Sequence, residues 1–137
     1  MPSRRPLVLD ANVLLDKTFM KWLEGYHDRK ILPPIAYAEI AFAFLKKYDS
    51  TEKLDRLLHW PDIRVERMEY RQARLTAEIA YRVERPDWRK QFRDYSIAAY
   101  AFEAPTILVT RDKHNFAFLE PRVKDPYELM REFGTVY

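Results

Sequence analysis

Four acidic side chains stand in apolar stretches of this chain. Asp10 closes Leu7-Val8-Leu9, and Glu39 is the only charge between Ile31 and Leu45. Asp94 leads into Ile97-Ala98-Ala99-Tyr100-Ala101, and Asp112 follows Ile107-Leu108-Val109. A carboxylate in an apolar neighbourhood must be neutralised, hydrogen-bonded or paired, because isolation in the ionised form costs several kcal/mol or more. One bound divalent cation would satisfy all four. Hard cations such as Mg²⁺ take oxygen ligands, and carboxylates without thiols are their preferred setting.

The elements that must position these acids alternate between strand and helix. Short apolar runs predict strands at Pro6–Leu9, Lys30–Leu32, Ile63–Val65 and Thr106–Thr110, with a weak one around Arg122–Lys124. Helical spacing follows Asp10 through Val13, Leu14 and Leu15. Further helices are expected from Pro34 to about Lys47, from a Ser50 cap through Leu58, over Tyr70–Val83, over Asp87–Phe102 and over Pro126–Phe133. Ile97, Ala98 and Ala101 lie at +3, +4 and +7 from Asp94, which puts Asp94 on the apolar stripe of its helix.

This alternation implies a single α/β domain over residues 1–137, with a mostly parallel sheet of four or five strands and helices on both faces. Binding sites in such sheets lie beyond the carboxyl ends of the strands, where Asp10 and Asp112 fall. From Asp94 to Ala104 a helix descends about 15 Å, and the strand Thr106–Thr110 climbs back about 17 Å. Asp94 and Asp112 are therefore expected at one level.

Composition removes the competing chemistries. The chain of 137 residues contains no cysteine, which excludes disulfides, thiolate zinc sites and cysteine nucleophiles. Two glycines, Gly25 and Gly134, cannot write a phosphate-cradling loop or a dinucleotide fingerprint. None of the serines lies in a nucleophile elbow, and His27, His59 and His114 lack the spacing of helical zinc ligands. No apolar run reaches the ~20 residues of a membrane span, and Leu7–Leu9 is too brief for a secretory signal, so a cytoplasmic location is expected. The net charge is +3; with the four acids set apart, the remainder carries 3 + 4 = +7. That balance favours polyanions, and Arg89, Lys90 and Arg93 lie just ahead of Asp94.

Each acid also has an ordinary explanation. Asp10 can cap the helix that follows it, Asp94 can pair with Lys90, and Asp112 can fix a turn. Glu39 has Phe42 and Ala43 at +3 and +4, so it lacks a near partner on its own helix. Asp16 is expected on a helix surface, with contact to a basic side chain as the alternative. His114 is read as a substrate contact, and Trp22, Trp60 and Trp88 as core and interface. Four such coincidences along one sheet edge are harder to accept than one shared ion.

The strings Leu9-Asp10-Ala11-Asn12-Val13-Leu14-Leu15, Ala38-Glu39-Ile40, Arg93-Asp94-Tyr95-Ser96-Ile97-Ala98-Ala99-Tyr100-Ala101 and Leu108-Val109-Thr110-Arg111-Asp112, followed by Asn115-Phe116, resemble the PIN-domain nucleases in order and type. The compact size is most similar to the VapC-type toxins. The resemblance implies an endoribonuclease using one or two Mg²⁺ or Mn²⁺ ions, inhibited by a cognate antitoxin and often dimeric. It places the acidic quartet on Asp10, Glu39, Asp94 and Asp112, with Asn12, Thr110 and Asn115 as polar support. Asn115 stands where many relatives carry a further acid, and the interval from Asp10 to Glu39 is shorter than common. Arg89, Lys90, Arg93 and Arg111 are the expected contacts to RNA phosphates. A phosphoryl-transfer domain with Asp10 as nucleophile is disfavoured, because Asp10-Ala11-Asn12 lacks a second acid.

Overall fold

A computed structural model describes residues 5–83 and 86–134. Five strands, β1 (Leu7–Leu9), β2 (Lys30–Leu32), β3 (Ile63–Val65), β4 (Ile107–Val109) and β5 (Val123–Lys124), form one sheet in the order β3-β2-β1-β4-β5. Every pairing is parallel, with Val8 opposite both Ile31 and Leu108. A parallel sheet covered on both faces needs apolar residues at successive positions rather than alternating ones. Leu7-Val8-Leu9 and Ile107-Leu108-Val109 meet that need, and all six are fully buried.

Among the described residues six α-helices flank these strands: α1 (Lys17–Glu24), α2 (Pro34–Tyr48), α3 (Glu52–His59), α4 (Tyr70–Val83), α5 (Phe92–Tyr100) and α6 (Pro126–Phe133). Strand order runs outward from β1 in one direction to β3, then jumps to β4 on the other side. Right-handed crossovers made in opposite directions place their helices on opposite faces. Helices α1 and α6 share one layer, where Trp22, Tyr26 and Phe133 pack ring against ring and the Trp22 indole donates to the Gly134 carbonyl at 2.7 Å. Helices α4 and α5 pack against each other in the opposite layer. The reversal of direction lies between β1 and β4, so the open crevice forms beyond the carboxyl ends of those two strands.

The expected elements all occur, with shifted boundaries. The sheet is parallel throughout rather than mostly so. The helix expected over Asp87–Phe102 begins at Phe92, because Lys90 and Gln91 donate back to the Asp87 carbonyl in turns that do not propagate. At its far end Ala101 donates to Ala98, a tightened final turn ahead of Pro105. Ser50 does accept from the Glu52 amide at 3.0 Å, although Thr51 occupies the cap position of α3. The segment after Asp10 is a single 3-10 turn, Ala11–Val13, and α1 starts afresh from its own cap, Asp16. Of the tryptophans, read together as core and interface, Trp22 belongs to the core, while Trp60 and Trp88 are exposed.

Candidate metal and active site

Asp10 is the first residue past β1, and its amide still donates to Val109 of the neighbouring strand at 3.0 Å. That ladder bond fixes the backbone and turns the side chain into the crevice, where it is 1% exposed. Its Oδ1 accepts from the Ala11 amide at 2.8 Å, so Asp10 does cap the turn that follows. The same oxygen accepts from Arg93 Nη2 at 2.5 Å. The other oxygen, Oδ2, accepts from the Thr110 hydroxyl at 2.9 Å, with Asn12 Nδ2 at 3.5 Å. Asp10 thus performs its structural role and keeps one edge of its carboxylate facing a cation.

Thr110 occupies the equivalent place past β4 and is fully buried. Its hydroxyl donates to Asp10 and accepts from the Asp112 amide at 3.0 Å and from Asn12 Nδ2 at 3.3 Å. Asn12 completes the tie by accepting from the Arg111 amide at 3.1 Å. The loops after β1 and β4 are therefore fastened together by Asn12 and Thr110, the two polar neighbours expected from sequence. Asp112 lies in this second loop, and its carboxylate accepts from Asn115 Nδ2 at 2.7 Å.

The remaining acids arrive from helices. Asp94 lies in the first turn of α5, whose buried stripe of Ile97, Ala98 and Ala101 presses against the sheet and carries Asp94 into the crevice. Glu39 projects from α2. The guanidinium of Arg93 joins them: Nε donates to Glu39 at 2.6 Å, Nη1 to Asp94 at 2.7 Å and Nη2 to Asp10. Three carboxylates from three elements thus converge on one cation, while the Asp112 backbone is tied to the cluster by its amide bond to Thr110 and its carboxylate acts on Asp94 through charge.

Burial pushes the Asp94 carboxyl up; the Arg93 hydrogen bond and charge pull it down without cancelling the rise, and Asp10 and Asp112 add to it by repulsion. Burial alone would lower Arg93, but the charge of Asp10 and the hydrogen bonds it donates to all three acids hold it above its ordinary value. One positive charge against three carboxylates leaves the cluster electron-rich. Its donors are oxygens only, without sulfur or imidazole, and they already converge on a cation; this set fits a hard divalent ion. As arranged around the broad guanidinium, no three acidic side chains among the described residues stand close enough to share one ion directly.

Three expectations change here. Glu39 and Asp112 are exposed, so the cost of burial constrains Asp10 and Asp94 only. The apolar residues around Glu39 misled because α2 turns Phe42 and Leu45 to solvent as well. Arg93 and Arg111, expected on phosphates, are both engaged with acids. Arg111 donates to Asp16 at 3.0 Å, and Asp16 is buried rather than on a helix surface, because its other oxygen caps α1 through the Phe19 amide. The alternative stated for Asp16, contact with a basic side chain, is the one that occurs, although nothing in the spacing reveals Arg111 as that partner; its role as the cap of α1 was missed, though Asp followed by a helical run carries that signal. Arg89 and Lys90 are exposed, with Arg89 over the Trp88 ring at 5.0 Å. His114 is exposed in the 3-10 segment Lys113–Leu119 that follows Asp112, not in a loop.

A family model described as PIN domain matches residues 7–119, a span that includes all four acids. The chain belongs to the PIN-domain family. A search of curated proteins returned no significant match. Membership implies nuclease-type activity and RNA binding in general terms, and PIN nucleases generally use divalent metals. Among the described residues, no helix of this PIN domain is long and apolar enough to cross a membrane.

Proposed function

We propose that this PIN domain is a Mg²⁺- or Mn²⁺-dependent endoribonuclease and the toxin of a type II toxin-antitoxin pair. The observation that carries the catalytic reading is the convergence of Asp10, Glu39 and Asp94 on one cation beyond the carboxyl ends of β1 and β4. Asp10 and Asp94 would hold one or two ions, with Glu39 and Asp112 as further ligands, directly or through water. Such ions, when bound, activate water, neutralise the scissile phosphate and stabilise the leaving oxygen. Thr110 and Asn12 keep the Asp10 carboxylate in one orientation, which removes reorganisation from the reaction. Asn115 does the same for Asp112. Arg89 and Lys90, exposed at the approach, are free to hold backbone phosphates without reading sequence.

The toxin assignment rests on motif order and size, and carries with it a cognate antitoxin, a homodimer and a cytoplasmic setting. A second reading, a catalytically inactive PIN-like module that binds RNA or protein, is favoured by one observation: Arg93 already pairs with three of the acids. Incubation of a fluorescent single-stranded RNA with Mn²⁺ separates the two. The nuclease reading predicts cleavage that chelation abolishes and that Asp10→Asn lowers by a factor of about 100 or more, the scale on which loss of a key electrostatic group acts. Binding without cleavage would establish the second reading.

A further inference from the structure

Arg93 makes three charge-assisted hydrogen bonds to three carboxylates that no other side chain among the described residues brings together. Those carboxylates are the ones assigned above to ion binding, so the guanidinium and the ion claim the same oxygens. Occupancy by one excludes the other, both because the lone pairs are shared out and because two cations repel at contact distance. The displaced guanidinium has a way out: the Arg93 side chain is 30% exposed, rooted in the first turn of α5 beside the exposed Arg89 and Lys90. Once outside it needs a new anion, and a phosphate matches its planar fork as well as a carboxylate does.

Building on the metal-dependent nuclease reading, we propose that Arg93 exchanges partners: it bridges Asp10, Glu39 and Asp94 in the metal-free protein, and swings out to an RNA backbone phosphate when the ion is bound. Arg93 is then a built-in competitor of the metal and, in the loaded protein, a substrate-binding residue. The exchange keeps the empty site from standing as a bare cluster of repelling carboxylates. It also couples ion uptake to the appearance of a phosphate-binding cation on the approach to the site.

Calorimetric titration of the full chain with Mn²⁺ tests the competition. Arg93→Gln is expected to bind Mn²⁺ about 10-fold more tightly than the wild type, within the usual range of coupling between two ligands. Arg93→Lys, which keeps a charge but loses the fork, is expected between the two. Labelling of the wild type with an arginine-specific dicarbonyl, mapped by mass spectrometry, tests the movement without any substitution. Arg93 should be protected in the metal-free protein, reactive with Mn²⁺, and protected again when a non-hydrolysable single-stranded RNA is added. Unchanged or weaker Mn²⁺ affinity in Arg93→Gln, or reactivity that Mn²⁺ does not alter, overturns the exchange while leaving the nuclease reading intact. Reactivity that RNA leaves undiminished overturns the phosphate contact. A wild type that binds no Mn²⁺ overturns the nuclease reading itself.

Discussion

At the scale of single residues, the difference between a structural acid and a functional one is what remains after its local bonds are counted. Asp10 caps its turn and accepts from Thr110, yet still presents Oδ1 to a cation. Asp94 is held by Arg93 alone among the described residues, and its carboxyl is raised by burial. A folded-state value above the unfolded one means the ionised Asp94 works against the metal-free fold; the penalty stands above the raised value and disappears as pH falls through it. Metal-free Asp94→Asn should therefore melt no lower than the wild type at neutral pH, with any advantage vanishing as the medium is acidified toward the ordinary carboxylate range. Adding Mn²⁺ should raise the wild-type melting temperature more than that of the variant. An equal rise in both would remove Asp94 from the ion site. The positions of these acids were legible in the sequence, because an isolated charge in an apolar run is conspicuous. The role of Arg93 was not, since a guanidinium that bridges α2, β1 and α5 is specified only once those elements have docked.

Among elements, the strands and helices were legible because punctuation and periodicity agreed. Pro34 at the start of α2 and Pro126 at the start of α6 open helices where the missing amide hydrogen costs nothing. The late start of α5 was not legible: the turns over Asp87–Gln91 use residues that a helix would accept equally well. Helix α6 shows how completely a terminus can be specified. Asp125 accepts from the Glu128 amide at 2.8 Å while Glu128 accepts from the Asp125 amide at 3.0 Å, a reciprocal capping box. The Asp125 amide first, and Lys113 second, hold Glu128 down to about 2, against an ordinary 4.5. A depressed carboxylate contributes stability that is present in full above its ordinary value and is lost as pH falls through the folded one. Glu128→Gln should thus cost on the order of 1 kcal/mol at neutral pH. Chemical denaturation should show that difference shrinking between pH 4.5 and about 2. A difference independent of pH would mean that packing, not the carboxylate, holds this cap.

For the whole molecule, what matters is that the strand order reverses beside the acids. Residues as distant in sequence as Asp10 and Thr110 become neighbours because β1 and β4 are paired in parallel register, Leu9 opposite Val109. The α/β alternation and the apolar β1 and β4 runs made this edge predictable; which side chains would face outward from it was not, because exposure depends on which helix faces remain uncovered. With the +3 net charge distributed around an acidic crevice, the remaining surface is basic. Binding of single-stranded RNA under chelating conditions should weaken with salt. Contacts from Arg89 and Lys90 give an expected log–log slope of about −1.4, at roughly 0.7 per phosphate. Replacing Arg89 and Lys90 by alanine should flatten it, and salt-independent binding would point to recognition of another kind.

The account stands on a shared ion at the carboxyl edge of β1 and β4, and anomalous diffraction from Mn²⁺-soaked crystals reads that ion directly. The predicted result is a manganese peak within coordination distance of the Asp10 and Asp94 carboxylates, with the Arg93 guanidinium withdrawn from between them. A peak elsewhere, or Arg93 still bridging the acids with no manganese beside them at saturating Mn²⁺, would contradict it.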